Sequence, residues 1–179
     1  IKLFSGKKYI LRISDSEEPL QNNSLALRKL NKNRIVPKII YFKEHNKKYY
    51  SIETFLEGKK KTPTSTNLRR LVKSLKTIHS NKYNKCGWLE KPSNNWKSYF
   101  LENHVYKYKE RFRAKVKDSE KYFTVVKNHF PKKDSGFSLL HGDFSFTNSL
   151  FDKGKVCFFD FEDSFYGEKE YDLAMIYYM

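Results

Sequence analysis

The chain has 179 residues, and its 36 Lys and Arg against 20 Asp and Glu leave a formal net charge of +16. This length suits one domain or two small lobes that share a cleft, and no apolar stretch approaches the roughly 18 to 20 residues that span a bilayer. We therefore expect a soluble, cytoplasmic protein. The two cysteines, Cys86 and Cys157, lie far apart, which indicates a reducing compartment, and the five histidines form no pattern typical of structural zinc.

An excess of positive charge is typical of proteins that bind nucleic acid, an anionic membrane or a polyphosphate. Lys outnumbers Arg, Asn, Tyr, Phe and Ile are abundant, and Ala is scarce. An AT-rich genome produces this bias without selection for any partner, and we favour that explanation. Nucleic-acid association remains a rival interpretation.

The first sixty residues predict a mostly β region with one helix. Residues 1–4 and 8–14 flank a Gly turn and alternate in the manner of a hairpin. Residues 22–24 (Asn-Asn-Ser) are good helix caps, and the Leu residues after them predict a short helix that stops before Pro37.

A second pair of strands is predicted at 39–42 and 49–53, around a charged turn. After the basic turn 58–66, apolar residues at helical spacing from Leu68 to Ile78 predict a helix behind the possible caps Thr66 and Asn67.

An apolar stripe from Val105 to Phe130 predicts a long helix that Pro131 ends. The Lys and Arg residues within it spread around the helix, which favours a solvated surface over a nucleic-acid stripe. The pattern then returns to β, with a hairpin of residues 149–151 and 156–161 about a turn. A final helix is predicted to begin near Asp172.

The most informative stretch is His141-Gly142-Asp143-Phe144-Ser145-Phe146-Thr147-Asn148, followed by Phe158-Phe159-Asp160-Phe161-Glu162. Kinase-type sites place one carboxylate at the attacking hydroxyl and bind Mg²⁺ through a second carboxylate and an amide oxygen, with the spacing H-x-D-x-x-x-x-N before D-F-x.

On this spacing, Asp143 is the candidate proton acceptor, and Asn148 with Asp160 is the candidate magnesium site. We expect His141 to hold the catalytic loop by hydrogen bonds, and the predicted hairpin to bring Asn148 and Asp160 together. The plain alternative is a hairpin with incidental acidic residues, but the added Asn and Asp-Phe-Glu at fitting distances favour the phosphoryl-transfer site.

Residues 141–174, with these motifs and Tyr171-Asp172-Leu173-Ala174, resemble the aminoglycoside phosphotransferase and choline kinase superfamily. The triplet at 160–162 is more similar to the choline and ethanolamine kinase branch than to protein kinases, which carry Asp-Phe-Gly. Upstream, residues 9–13 resemble the third strand of the family, 52–58 the hinge, and 75–80 the helix that ends in Leu-x-x-x-His.

The resemblance implies an α+β, bilobal, protein-kinase-like fold. Residues 1–58 would form a small, β-rich, nucleotide-binding N-lobe and hinge, incomplete because it lacks the first strand. Residues 59–179 would form a mainly helical C-lobe with the catalytic hairpin, cut short at its carboxyl end. The sequence leaves open whether the chain is a fragment, a trimmed version or a reduced homologue.

The resemblance also implies ATP or GTP with Mg²⁺ in the cleft. Arg12 takes the position of the phosphate-binding Lys or Arg, backbone groups from Glu53 through Phe55 to Leu56 would face the purine, and Asp172 would brace the catalytic loop. The N-lobe helix of the family offers a Glu to the strand cation, but here Asn23 stands at that place, and neither Glu17 nor Glu18 matches it.

We expect an ATP-dependent small-molecule kinase with an alcohol acceptor, of the choline or ethanolamine type. The alternatives are an aminoglycoside or sugar kinase, and a kinase-fold binding module that has lost turnover. An aromatic cage for a quaternary ammonium could draw on Trp88, Trp96, Tyr99, Tyr166, Tyr171 and Tyr177. Carboxylates for a cationic acceptor are available at Glu162, Asp163, Glu168 and Glu170.

Overall fold

The computed structural model describes residues 6–131 and 136–177. Its first part contains β1 (Tyr9–Ser14), α1 (Glu17–Lys29), β2 (Ile39–His45) and β3 (Lys48–Thr54). The three strands form an antiparallel sheet in the order β1-β3-β2. The predicted second pair of strands is therefore confirmed, whereas the strand predicted at 1–4 lies outside the described residues.

The remainder of the chain mixes helices and short strands. Its elements are α2 (Ser65–His79), β4 (Lys82–Tyr83), β5 (Cys86–Trp88), β6 (Pro92–Ser93), α3 (Trp96–Phe100), a π-helical turn (Leu101–Val105), a 3-10 turn (Tyr106–Tyr108), α4 (Lys109–Arg113), α5 (Ser119–Asn128), β7 (Phe137–Leu140), β8 (Ser149–Asp152), β9 (Lys155–Phe158), β10 (Phe165–Gly167) and α6 (Glu170–Tyr177).

Two sheets organise this second part. Short strands form a five-stranded sheet in the order β4-β7-β10-β5-β6, and β8 pairs with β9 as the predicted hairpin. A backbone bridge between Lys59 and Phe151 ties the segment after β3 to that hairpin. The predicted α+β class is confirmed, although the part expected to be mainly helical also contains a five-stranded sheet.

Helix α1 begins at Glu17, six to eight residues earlier than the caps predicted at 22–24 imply. Ser16 is its N-cap, and its first turn holds Glu17 and Glu18, which the positive end of the helix dipole favours. Pro19 is tolerated there because the first turn needs no N–H from it. Asn22 and Asn23 are therefore not caps: they lie inside the helix and are buried.

The predicted long helix from Val105 to Phe130 is wrong. The chain passes through π-helical and 3-10 turns before α4, and α4 and α5 are separate helices. Asp118, just before α5, has a φ of 55°, a left-handed conformation that a continuous α-helix does not contain. Apolar spacing alone does not register such a break.

A shared apolar core joins the first part of the chain to the second. Leu27 of α1 and Leu30, the C-cap of that helix, pack in one cluster with Leu71 and Leu75 of α2 and with Phe158 of the hairpin. Burial of large apolar side chains is the main stabilising contribution to a fold. Among the described residues, no helix is long and apolar enough to cross a membrane, and both cysteines are free and buried.

Candidate active site

The catalytic loop predicted from the sequence runs between β7 and β8. Strand β7 is fully buried and ends at Leu140, so the loop starts at His141 and ends at Asn148, next to the first residue of β8. The backbone N–H of Phe159 donates to the carbonyl oxygen of Asn148 at 3.2 Å. The hairpin thus brings Asn148 and Asp160 to the same end, as expected.

Asp143 and Asn148 are in direct contact. The Asn148 amide nitrogen Nδ2 donates to Asp143 Oδ2 at 2.7 Å and to the Asp143 carbonyl oxygen at 3.0 Å. Because the nitrogen makes both contacts, the amide oxygen Oδ1 is the atom that can bind a metal ion. Asp143 remains partly exposed, so its carboxylate can be reached by a substrate.

Arg12 of β1 lies at the centre of a group of carboxylates. Its Nη1 is 2.9 Å from Asp160 Oδ1 and 2.9 Å from Glu162 Oε1, and its Nε is 3.2 Å from Glu53 Oε1. These ion pairs raise the pKa of the guanidinium against the effect of its burial. The cation predicted for phosphate binding is therefore held beside the predicted metal ligand Asp160.

Two adjacent amides of α1 anchor the segment that carries Asp160. Asn22 Nδ2 donates to the carbonyl oxygens of Glu162 and Ser164 at 2.6 and 2.7 Å. Asn23 Oδ1 accepts the backbone N–H of Phe161 at 3.0 Å. Sequence reasoning missed this role, and the available signal was two consecutive amides placed inside an amphipathic helix.

The buried carboxylate of Asp172 holds the backbone of the catalytic loop by hydrogen bonds. Asp172 of α6, fully buried, accepts the backbone N–H groups of His141 and Gly142 at 2.9 and 3.0 Å. His79, the last residue of α2, lies 2.8 Å from the same carboxylate. This geometry suits the bracing role that the family resemblance implies for Asp172.

His141 is entirely buried, and burial lowers its pKa. Its Nε2 lies 3.0 Å from the carbonyl oxygen of Phe159, so the neutral ring donates from Nε2. This contact joins the catalytic loop to Phe159, the residue between β9 and Asp160. The arrangement suits a residue that holds the loop rather than one that exchanges protons with a substrate.

Gly142 occupies a position that a larger residue cannot take. Its φ is 85°, and a Cβ atom there would lie 1.9 Å from the carbonyl oxygen of Asp163. Only glycine combines this backbone conformation with so close an approach. The loop before Asp143 therefore packs directly on the segment that follows Asp160.

An apolar cavity of about 350 Å³ opens next to Arg12. It is lined by Ile10, Arg12, Pro37, Glu53, Thr54, Phe55, Leu56, Gly58, Leu150 and Phe159. The residues predicted to face a purine thus border this cavity, but the carboxylate of Glu53 is buried and directed at Arg12. Their contact with a nucleotide stays a prediction.

Lys60 is a neighbour of this cavity that the sequence did not single out. Its Nζ donates to the carbonyl oxygen of Thr147 in the catalytic loop and lies 4.3 Å from the ring centroid of Phe159. Burial lowers the pKa of this ammonium. Lys60 therefore links the segment after β3 to the catalytic loop.

A second cavity, of about 230 Å³, is bordered by Asp143. It is lined by Trp88, Asn103, His104, Lys107, Tyr108, Gly142, Asp143, Asp163, Tyr171 and Met175. It shares Trp88, Lys107 and Asp163 with a groove of about 640 Å³ that reaches Glu17, Glu18, Glu90 and Glu162. We call the two together the acidic groove.

Only some of the residues predicted to bind an acceptor molecule line the acidic groove. Trp88, Tyr171, Glu162 and Asp163 line it. Trp96 and Tyr99 are buried in one apolar cluster and Tyr166 in the other, so they are not available as a cage. Glu170 is the first residue of α6 and Glu168 lies two residues before that helix, and the side chain of Tyr177 lies outside what the structure describes.

Burial raises the pKa of both acidic-groove carboxyls that follow Asp160. For Glu162, the charge of Asp160 adds to the effect of burial, and for Asp163 the charges of Asp143 and Asp160 do so. Carboxylates crowded in this way bind a cation favourably, because it relieves their mutual repulsion.

The metal ligands present are few. Over residues 6–131 and 136–177, no group of three or more His, Cys, Asp and Glu side chains could hold a metal ion by itself. Asn148 and Asp160 offer one amide and one carboxylate oxygen. This set fits Mg²⁺ in a nucleotide complex, which takes one or two protein carboxylates and completes its shell with phosphate oxygens and water.

Comparison with known proteins also indicates a phosphotransferase family. Residues 3–179 match the profile of APH, the phosphotransferase enzyme family. No curated protein matches the sequence at a significant level.

Solved structures of low sequence identity share the fold. A thermostable mutant of aminoglycoside phosphotransferase APH(4)-Ia, in a ternary complex with ADP and hygromycin B, has a TM-score of 0.70 and 16% identity, over 97% of this chain and 65% of that one. A Haemophilus somnus protein assigned as a fructosamine-3-kinase has a TM-score of 0.71 and 15% identity, over 95% and 63%.

Amicoumacin kinase hAmiN, in complex with AMP-PNP and Ca²⁺, has a TM-score of 0.63 and 17% identity, over 99% of this chain and 59% of its own. This chain thus spans less than two thirds of the length of these structures. The family match confirms the predicted superfamily, and the structural likenesses confirm the predicted kinase-like fold. They give no support to the choline and ethanolamine kinase branch.

Proposed function

This chain belongs to the APH phosphotransferase enzyme family, and from that membership we propose that it transfers the γ-phosphoryl group of ATP to a hydroxyl group of a small molecule. The observation that carries the proposal is the contact of Asn148 with Asp143 and of Arg12 with Asp160, where Arg12 lines one cavity and Asp143 lines another. One cavity is apolar and suits a purine, and the other is acidic and suits an acceptor.

Each residue has a role in the proposed transfer. The acceptor oxygen forms a bond to the γ-phosphorus, the bond from that phosphorus to the β-γ bridging oxygen breaks, and ADP leaves. The acceptor proton passes to the carboxylate of Asp143, which lines the smaller, acidic cavity. Arg12 offers donors to phosphate oxygens, a task that suits a guanidinium.

Magnesium fits the site through Asn148 Oδ1 and the carboxylate of Asp160. When bound, the ion neutralises charge on the phosphate groups. The remaining work falls to the protein: Asn148 orients Asp143 through two hydrogen bonds, and Asp172 fixes the backbone of the loop. The structures with ADP and with AMP-PNP and Ca²⁺ come from proteins of the same fold, which supports a nucleotide and a divalent cation here.

For the acceptor we propose a cationic alcohol, either an amino alcohol of the choline or ethanolamine type or an amino sugar. Asp143 and Asp163 line the same cavity of the acidic groove, together with the aromatic residues Trp88 and Tyr171. Carboxylates attract an ammonium group, and aromatic faces attract it through cation-π contact. The small cavity next to Asp143 suits an amino alcohol, while the larger adjoining groove suits an amino sugar such as an aminoglycoside.

An assay of ADP release tests the proposal. Mg·ATP and Mg·GTP are each supplied with choline, ethanolamine, aminoglycosides and neutral sugars, and wild type is compared with Asp143→Asn. We expect release that depends on a cationic acceptor and falls by about 10² to 10⁴ in the variant. Asp15→Asn, at an exposed aspartate paired with Lys48, is the matched control.

Nucleotide binding without release for any acceptor would instead favour the binding module that has lost turnover. Release with neutral sugars alone would overturn the cationic acceptor while leaving the phosphotransferase in place. The two parts of the proposal are therefore tested separately.

A further inference from the structure

One of the three carboxylate partners of Arg12 comes from the neighbouring strand β3. Glu53 of β3 is only 2% exposed, and its Oε1 lies 3.2 Å from Arg12 Nε. The two residues lie on neighbouring strands, with Ser51 opposite Arg12 and Glu53 two residues further along β3. Both side chains therefore point to the same face of the sheet, the face that α1 covers.

Asn23 completes this arrangement from α1. It is fully buried, and its Nδ2 donates to Glu53 Oε1 at 2.7 Å while its Oδ1 accepts the backbone N–H of Phe161 at 3.0 Å. One amide therefore connects the carboxylate that holds Arg12 to the residue directly after Asp160. A carboxylate at position 23 could accept the Phe161 N–H but could not donate to Glu53.

The physical requirement is for a buried charge with partners. A carboxylate removed from water needs a cation and hydrogen-bond donors, and leaving it unpaired is costly. Glu53 obtains the cation from Arg12 and donors from Asn23 and from Ser51, whose Oγ lies 3.4 Å away. Burial raises the pKa of Glu53, and these partners act against that rise.

We propose that Glu53 is the positioning residue for Arg12, and that Asn23 couples the pair to the backbone that carries Asp160. This inference rests on the proposed phosphotransferase function, in which Arg12 meets phosphate. The negative charge beside Nε of the guanidinium is thus supplied from β3 rather than from α1. The amide at position 23 of α1 complements that carboxylate by donating a hydrogen bond to it.

Binding of a nucleotide that cannot be turned over tests the role. The probe is Mg·AMP-PNP, titrated by calorimetry into wild type, Glu53→Gln and the control Glu44→Gln, which makes the same change at an exposed position of β2. We expect Glu53→Gln to weaken affinity about tenfold or more, because a charge-assisted contact to the guanidinium is lost. Glu44→Gln is expected to bind as wild type does.

An exchange variant separates positioning from folding. The double variant Asn23→Glu, Glu53→Gln exchanges the two groups: the carboxylate now comes from α1 and the amide from β3. The glutamine amide at position 53 can then donate a hydrogen bond to the carboxylate at position 23. We expect affinity for Mg·AMP-PNP to recover to within about threefold of wild type, a difference well below the tenfold that 1.4 kcal/mol represents. Thermal unfolding of every variant shows whether it is folded.

Two results would overturn the inference. One is a folded Glu53→Gln variant with unchanged affinity and an unchanged KM for ATP. The other, which decides the case if Glu53→Gln does not fold, is an exchange variant that shows no gain in folding or in affinity over Glu53→Gln. If wild type binds Mg·AMP-PNP but phosphorylates no acceptor, the proposed function fails while the affinity comparison still decides the role of Glu53.

Discussion

The imidazole Nε2 of His79 lies 2.8 Å from Oδ2 of Asp172, and the same carboxylate accepts two backbone N–H groups of the catalytic loop. Helices α2 and α6 thus meet under the loop through one fully buried carboxylate. Both the stability of the fold and the position of Asp143 therefore depend on the carboxylate of Asp172.

Asp172→Asn is expected to lower the free energy of unfolding by about 3 kcal/mol or more, because the new amide nitrogen cannot accept a hydrogen bond from a buried N–H. Urea unfolding of the variant and wild type measures the loss. Asp118→Asn, at an exposed position with a left-handed backbone, should stay within about 0.5 kcal/mol of wild type. Equal stability of Asp172→Asn and wild type would contradict the buried brace.

Gly142→Ala is expected to disturb the catalytic loop more than its backbone strain alone would. Gly154 provides the comparison, since its φ of 87° is nearly the same as the 85° of Gly142 but nothing lies within 4 Å of a Cβ placed there. Gly154→Ala therefore carries the left-handed strain of about 1 to 2 kcal/mol, whereas Gly142→Ala adds a collision with the Asp163 carbonyl. Thermal unfolding and nucleotide-dependent turnover of both variants measure the difference, and similar effects of the two would be evidence against the close approach.

His104 provides a pH dependence of stability. Burial lowers the pKa of its imidazole to about 4, while the unfolded chain has the ordinary value of about 6.5. Between these values the unfolded state binds more protons than the folded state, so this residue makes stability rise with pH and fall on acidification. The window is about pH 4 to 6.5.

His104→Phe should flatten that dependence by at most about 1.4 kcal/mol per pH unit. The phenyl ring suits the surrounding aromatic cluster of Tyr99, Phe100, Phe165 and Tyr171, although Tyr171 loses the hydrogen bond to His104 Nδ1. Urea unfolding at several pH values between 4.5 and 7 gives both slopes. The raised pKa values of Glu53, Glu162 and Asp163 act in both proteins and cancel in the comparison, so parallel curves would count against a neutral buried His104.

Asp163 is expected to contribute to binding of a cationic acceptor. Asp163→Asn keeps the shape of the acidic groove but removes a charge beside Asp143, so the KM for a cationic acceptor should rise about tenfold, as for one lost charged hydrogen bond. The KM for ATP should change far less. Glu110→Gln, at an exposed glutamate of α4, serves as the control, and an equal rise in both KM values would point to a general disturbance of the site instead.

Local sequence patterns predicted the parts of this protein that are held by local contacts. The hairpin of β8 and β9 follows from alternation about a tight turn, and its two ends bring Asn148 and Asp160 together. The start of α1 was misplaced because the amides at 22 and 23 are typical caps when only their neighbours in sequence are considered. Their actual partners lie between 30 and 142 residues away.

The contact between Glu53 and Arg12 could not be predicted for a related reason. It depends on the register of β1 against β3, and a shift of one residue would turn either side chain to the opposite face of the sheet. The breaks between α4 and α5 are likewise set by backbone turns rather than by apolar spacing. Sequence patterns therefore identified the residues of the loop and hairpin but not the tertiary contacts that orient Arg12.

The three carboxylates around Arg12 stand in contrast to a chain whose formal charge is +16. Over distances near the Debye length, about 8 Å at physiological ionic strength, the net positive charge attracts an anionic nucleotide and speeds its encounter with the protein. Within the site, the carboxylates repel the same anion unless a divalent cation travels with it. In the proposed phosphotransferase, this charge distribution would favour metal-complexed nucleotide over free nucleotide, and added salt should slow nucleotide binding without removing that preference.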